Sequence, residues 1–264
     1  PPPPPPPPPN FFYTQTTEYD IRLSLVGSEM CIRDSLIGPN GAGKTTLFNV
    51  IAGIYKPTSG KVYLDNEDIT DLPPHKLFEK GVLRTFQIPH EFSTMSVMEN
   101  LMMVPGSQTG EKLFNTWFNT SKISDEEKEI KSKAIEVTKF LTIDHLLYEK
   151  AGNLSGGQKK LLELGRTMMV DAKIVLLDEV GAGVNRTLLK TIGDAILRLN
   201  KERGYTFCMI EHDMDFITKL CDPVIVLAEG KVLAEGKISD IKQNEEVIEA
   251  YLGKGMKNAP KRND

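Results

Sequence analysis

Nowhere in its 264 residues does this sequence run apolar for the roughly 18 residues needed to cross a bilayer. Any membrane role must therefore come through a partner. A cysteine framework is also missing. Cys31, Cys208 and Cys221 are an odd number at unrelated spacings, which fits neither a disulfide scaffold nor a zinc cluster and suits a reducing cytoplasm. Excess positive charge is lacking too. A formal charge of −4 and a pI near 5.7 argue against a surface that tracks nucleic-acid phosphates, although a local basic patch can hide in an acidic average. Internal repeats are absent. What remains is the composition of an ordinary globular protein, 40% hydrophobic and 26% charged, in a chain long enough to bury a real core.

The first 35 residues read differently from the rest. Pro1 to Pro9 are uninterrupted, at face value a stiff polyproline II rod, a linker or a recognition ligand. A better reading starts from Leu25–Ser35, LVGSEMCIRDS. That segment back-translates, codon by codon, into the end sequence of a widely used transposase-based sequencing adapter. Residues 1 to about 35 are accordingly read as a foreign segment joined to a truncated gene and are set aside from fold reasoning. The native chain is expected to resume at Ser35 or Leu36. On this reading only Leu36 and Ile37 remain of the apolar strand that precedes the next motif.

From there strands and helices alternate. Leu47 to Ala52 is a helix-compatible run stopped by Gly53, and Lys61–Leu64 alternates as a strand does. Pro73-Pro74 opens a short helix that Gly81 closes, and Val82–Phe86 is the next strand. Ser96-x-x-Glu99 and Ser124-x-x-Glu127 are capping-box patterns, the second predicting the start of a long charged helix that reaches about Phe140. Residues 105–122 have no period and are expected to form an insertion loop. Later come helices over Gln158–Val170, Leu188–Glu202 and Met214–Leu220, with strands over Ile174–Leu177, Thr206–Ile210 and Val224–Leu227. This alternation predicts a parallel α/β sheet. The helix-rich middle, about 92–165, looks like an inserted subdomain, and the polar tail Lys254–Asp264 is expected to be loose.

Gly38-Pro39-Asn40-Gly41-Ala42-Gly43-Lys44-Thr45, followed by Thr46, satisfies G-x-x-x-x-G-K-[ST] between apolar residues and a helix. The glycines let backbone N–H groups turn inward around phosphate oxygens, and the helix points its positive end at the same anion. Lys44 then reaches the β- and γ-phosphates, and the Thr45 hydroxyl suits Mg²⁺. Ile174–Leu177 deliver Asp178 and Glu179 to a sheet edge. Asp178 suits the Mg²⁺ shell and Glu179 is placed to polarise an attacking water, unless the pair merely caps the next helix. Leu154-Ser155-Gly156-Gly157-Gln158 is a second helix N-terminus with a serine cap, an ordinary cap or a second anion site.

A phosphate loop, then this serine-glycine motif, then an acidic strand is the order found in the ATP-binding cassette family, which the chain resembles from about Leu36 to Gly253. The resemblance implies a P-loop NTPase fold with a parallel-sheet core, an antiparallel β part and an inserted α-helical subdomain at about 92–165. It also implies that Ser155, Gly156, Gly157 and Gln158 close over the ATP of a second, facing cassette. Gln87 is similar to the family glutamine that contacts Mg²⁺ and the attacking water and senses the transporter partner. His212, in Ile210-Glu-His-Asp, resembles the histidine facing the γ-phosphate. Two departures stand out. Val180 replaces a usual proline, for which a tuning effect is expected, and Asn185 replaces a common aspartate, so that it can still hydrogen-bond across a dimer but carries no charge. The family's base-stacking aromatic falls upstream, and Phe11, Phe12 and Tyr13 are not assigned to that role.

Arg84-Thr-Phe-Gln87, Ser96–Leu101, Glu211–Phe216 and Val247–Gly253 resemble ATPase subunits of bacterial branched-chain amino acid importers. Urea or short-chain amide importers are the nearest alternative. The resemblance implies ATP and Mg²⁺, a second identical or sister cassette, membrane permease subunits and, indirectly, a periplasmic binding protein. It places the chain on the cytoplasmic face of the membrane. A non-transport cassette of DNA repair or translation would carry a coiled-coil arm or a tandem cassette. A non-hydrolysing regulator would lack Glu179 or His212.

Overall fold

The computed structural model describes residues 11–14, 33–85, 91–106, 108–111, 113–170 and 172–252. Two compact units emerge. The first comprises Pro1–Arg84, Lys173–Glu179 and Leu199–Asp264, and the second comprises Thr85–Ala172 and Val180–Arg198. Among the described residues no helix is long and apolar enough to cross a membrane.

The first unit is built on two sheets. Strands β1 (Phe11–Thr14), β3 (Lys61–Leu64) and β4 (Glu67–Asp68) pair antiparallel in the order β1-β3-β4. β3 alternates exposed and buried residues, the mark of a sheet packed on one face. The two residues joining β3 to β4, Asp65 and Asn66, both have positive φ, 51° and 64°, as a tight hairpin turn demands. The larger sheet takes β2 (Arg33–Ile37), β5 (Val82–Arg84), β6 (Ile174–Asp178), β7 (Thr206–Ile210), β8 (Val224–Ala228) and β9 (Lys231–Gly236) in the order β5-β6-β7-β2-β8-β9. All its pairs are parallel except β8 with β9. Every residue of β6 and β7 is buried, which explains their continuous apolar run: a central parallel strand has no wet face. β9 lies beyond Leu227, where the strand pattern in the sequence ends. Its signal was Glu229-Gly230, both at positive φ, a two-residue hairpin turn.

Helix α1 (Lys44–Ile51) follows β2 and inserts Leu47, Phe48 and Ile51 into a core shared with Leu36, Leu176, Cys208, Ile210 and Ile225. Helix α2 (Pro74–Glu79) starts on proline, whose missing N–H costs nothing at that position.

β2 takes in three residues, Arg33 to Ser35, ahead of Leu36 and Ile37. Asp34 pairs with Cys208 and Ser35 with Met209 in the register to β7, and both Asp34 and Ser35 are buried. Neither suits the middle of a sheet. The Ser35 hydroxyl has no hydrogen-bond partner. Burial, aided by the Glu235 carboxylate, pushes the Asp34 carboxyl up to about 7 from 3.8.

The second unit is helical. Helix α3 (Val97–Met102) opens with both halves of a capping box, Ser96 accepting from Glu99 N and the Glu99 side chain accepting from Ser96 N. Fully buried Asn100 uses its amide to tie the preceding turn, accepting from Phe92 N and donating to Phe92 O and Ser96 O. The expected loop at 105–122 proves partly helical: a 3₁₀ turn at Thr109–Glu111 and helix α4 (Leu113–Phe118) lie within it. The long helix α5 (Thr120–Phe140) ends where expected but starts a turn early, so Ser124 is an interior residue and not a cap. Tertiary contacts set that start. Ile123 packs beneath Gly110, and the Glu126 carboxylate accepts from both the N–H and the hydroxyl of Thr109, so no capping residue is needed. Helix α6 (Gly156–Met168) packs closely on this group, with Gly165 against Leu141, Val137 and Leu101.

Candidate functional site

The loop Gly38–Gly43 joins β2 to α1. Its shape depends on glycine at two points. A Cβ on Gly38 (φ 151°) would lie 2.1 Å from Leu227 O, and Gly43 stands at the N-cap of α1 with φ 97°. No side chain caps that N-terminus, so its first N–H groups and the positive helix end face an incoming anion. Lys44 is buried and folds along the loop, its Nζ donating to Gly38 O at 2.8 Å and Pro39 O at 3.1 Å. Burial lowers the Lys44 pKa, and the Glu179 and Asp178 carboxylates pull it back up. Ala42 is buried, Pro39 half-buried, and Asn40, Gly41, Thr45 and Thr46 are exposed.

β6 delivers the acidic pair. Asp178 is buried at the strand end, with Arg84 Nη2 donating to its Oδ2 at 3.0 Å and the other Arg84 amino group on the Asn49 side-chain oxygen. Glu179 follows with φ 49°, a left-handed backbone that costs a non-glycine residue about 1–3 kcal/mol and collects at functional sites. Its N–H is fixed by Ile210 O at 2.9 Å. His212, two residues beyond β7, brings Nε2 to 3.2 Å from Glu179 Oε1. The turn that presents Glu179 is thus made with Val180, not proline, after it. The strain falls on a carboxylate held beside a histidine, a pair chemically able to accept a proton from a water.

Arg84, Asn49 and Tyr251 were not assigned from sequence. Arg84 carried a signal: a charged residue ending a buried strand, next to a strand that ends in aspartate. Tyr251, on the C-terminal helix α8 (Glu245–Leu252), had none. Burial raises its phenol pKa, and a hydrogen bond from the Gly38 backbone opposes the rise.

In the second unit Ser155 caps α6, accepting from Gln158 N at 3.4 Å while Gln158 Oε1 accepts from Ser155 N at 2.9 Å. Ser155 and Gly156 are exposed and Gly157 is buried. A Cβ on Gly157 would lie 2.0 Å from Leu188 Cδ2 and 3.1 Å from Val184 Cγ1, so that glycine serves helix packing. Leu188 belongs to helix α7 (Arg186–Arg203), and the Asn185 side chain accepts from Leu188 N at 2.9 Å. Asn185 therefore binds the first turn of its own chain's helix, and its amide N–H groups and the second lone pair of its oxygen are left for the contact across a dimer expected of it. Gln87 lies outside the described residues, as does the tail Lys254–Asp264.

The donors available for Mg²⁺ are the exposed Thr45 hydroxyl and one end of Asp178. Among the described residues no group of three His, Cys, Asp or Glu side chains could hold a metal by itself. That fits a hard cation held by one carboxylate, a hydroxyl and substrate phosphates.

A parallel sheet, a glycine loop feeding an uncapped helix and an acid pair beside the loop lysine define a P-loop nucleotide triphosphatase. Comparison with known proteins narrows this. The ABC transporter family model matches residues 29–182, and a model described as branched-chain amino acid ATP-binding cassette transporter matches residues 231–256. A probable branched-chain amino acid transport ATP-binding protein of Archaeoglobus fulgidus is 44% identical over 218 residues, covering 83% of each chain. A high-affinity branched-chain amino acid transport ATP-binding protein of Pseudomonas aeruginosa is 38% identical over 219 residues, covering 83% of this chain and 86% of its own. A solved nucleotide-free ATP-binding cassette from an ABC transporter superposes with a TM-score of 0.74 at 36% identity, over 93% of this chain and 98% of that one. The chain belongs to the ABC transporter family and is an ATP-binding cassette.

Proposed function

We propose that this chain is the ATP-hydrolysing subunit of a membrane importer for branched-chain amino acids. Hydrolysis rests on one observation, the Glu179 carboxylate 3.2 Å from His212 Nε2 at the end of the strand that carries Asp178. In this role Lys44 and the α1 N-terminus hold the β- and γ-phosphates, and His212 faces the γ-phosphate. Glu179 accepts a proton from the attacking water, an effect typically worth about 10²–10⁴ in rate. Thr45, Asp178 and Gln87 are the residues to hold Mg²⁺, which would neutralise charge on the phosphates. Ser155, Gly156 and Gln158 would complete the site of a second cassette, and Gly157 would support them from behind.

The choice of cargo is supported by the C-terminal match at residues 231–256 and by the names of the relatives. The partners on this reading are a second cassette, membrane-spanning subunits on whose cytoplasmic side the chain sits, and a periplasmic binding protein. ATP closes two cassettes on one another, and loss of the γ-phosphate reopens them.

Two measurements test the reading. Glu179→Gln should keep ATP binding and lose turnover by at least about 10²; wild-type hydrolysis by that variant would show Glu179 to be misassigned. Vesicles containing the chain and its membrane subunits should take up leucine on ATP addition. Uptake of urea instead would establish the alternative importer class.

A further inference from the structure

Phe114, Trp117 and Phe118 stand 83%, 82% and 79% exposed, on one face of α4 at i, i+3 and i+4 spacing. Single exposed apolar side chains are normal, but three large aromatics side by side mark a contact surface. The segment carrying them is fastened from behind. Glu126 accepts from the Thr109 N–H and hydroxyl, and Asn115 Nδ2 donates to Thr109 O at 3.1 Å. The aromatics are therefore presented outward in advance, which reduces the entropy lost when something covers them.

The surroundings are acidic. An open depression lined by Phe118, Lys122, Asp125, Glu126 and Glu129 adjoins the aromatic face. The first half of α5 carries Asp125, Glu126, Glu127 and Glu129 against only Lys122 and Lys128; with Lys128 paired to Asp125 at 3.0 Å and Lys122 to Glu126 at 3.9 Å, Glu127 and Glu129 leave a net of two negative charges. The Thr109 hydrogen bonds hold the Glu126 carboxyl below the usual carboxylate range, aided slightly by Lys122. A surface of this sign repels anionic lipid headgroups. It complements a segment that is apolar and basic, whose cations can sit on the aromatic rings and pair with the rim carboxylates.

We infer that this face docks a Lys/Arg-rich cytoplasmic segment of the membrane-spanning subunits, an inference that rests on the transporter reading above. Membrane proteins concentrate Lys and Arg in their cytoplasmic loops, so the charge of the patch matches the side of the partner that a peripheral cassette meets. None of these residues belongs to the nucleotide site.

Trp117 is the chain's single tryptophan, so 5-fluorotryptophan placed in this chain alone gives one fluorine resonance that reports on the face. Assembly with the membrane subunits in nanodiscs should move that resonance and remove its water/deuterium isotope shift. Phe114→Ser/Phe118→Ser and, separately, Asp125→Asn/Glu129→Gln should each weaken assembly, the aromatic pair by at least about tenfold. The carboxylate pair should also flatten its salt dependence. ATP turnover of the isolated chain should be unchanged in both. A resonance that moves on empty anionic nanodiscs would assign the face to lipid, and one that moves with the chain's own concentration would assign it to a second copy. Either overturns the inference. A complex that forms with Trp117 still water-exposed overturns it while sparing the transporter reading, and failure of any complex to form overturns both.

Discussion

Asp34 offers the sharpest quantitative test of the structure. It lies on the central strand β2, opposite Cys208 of β7 and near Glu235 of β9, and its carboxyl is raised from 3.8 to about 7. A carboxyl raised in the folded state keeps its proton there while the unfolded chain releases it. Stability must therefore fall as pH climbs from about 4 to about 7 and level off above that. At about 1.36 kcal/mol per pH unit over that span, the loss approaches about 4 kcal/mol, a large part of the roughly 5–15 kcal/mol that holds a domain together. Urea unfolding at pH 5 and pH 8 measures it. The unsubstituted chain should lose about 2.5 kcal/mol between the two pH values relative to Asp34→Asn, in which position 34 does not titrate. Asp34→Val should be more stable than the unsubstituted chain at pH 8, and its advantage should shrink by about 2.5 kcal/mol at pH 5. Parallel pH profiles for the native chain and Asp34→Asn would refute the reasoning, because they would show that the carboxyl is not desolvated. Asp34 and Ser35 are a polar pair at a place in the sheet that favours apolar side chains.

Other expectations follow from single contacts. Gly157→Ala should destabilise the chain by about 1–3 kcal/mol by overpacking, and Leu188→Ala in the same chain should recover part of the loss in thermal melts. Arg84→Met should cost about 3–5 kcal/mol by leaving the buried Asp178 without its cation, measured by denaturant midpoint at pH 7; Arg84→Met/Asp178→Leu should regain much of it. Ser35→Ala should stabilise by about 1 kcal/mol, because its buried hydroxyl makes no hydrogen bond.

Most of the nucleotide site was legible because its chemistry is local. A loop glycine, the lysine after it and an acid at the end of an apolar strand are set by backbone geometry within a few residues. The central strands were equally plain, since burial on both faces leaves continuous runs such as Ile174–Leu177 and Thr206–Ile210. What sequence missed depends on partners distant along the chain. Arg84 meets Asp178 across 94 positions, and Tyr251 reaches Gly38 from the other end of the chain. Ser124 looked like a cap because the pattern S-x-x-E is local, whereas the true start of α5 is fixed by Ile123 under Gly110 and by Glu126 on Thr109. The helices at 109–118 were invisible for a related reason. Their aromatics face outward, so no apolar period marks a core face.

The two helix N-termini differ in a way that bears on their roles. α1 begins on a left-handed glycine with no side-chain cap, so its orphan N–H groups, the helix dipole and Lys44 all serve one anion. α6 begins with a closed Ser155–Gln158 box, in which the Gln158 N–H and the Ser155 N–H are already satisfied. Only the Gly156 and Gly157 N–H groups and the serine hydroxyl proton remain for a phosphate, and Gly157 is tied down by Leu188. The first terminus offers its uncapped N–H groups to a phosphate without help from another chain. The second can add only a few hydrogen bonds, each worth about 1.5–3 kcal/mol when the acceptor is charged. A contact of that size forms and breaks with the presence of one phosphoryl group. Held between two cassettes, it would make a latch that closes on ATP and opens when the γ-phosphate leaves.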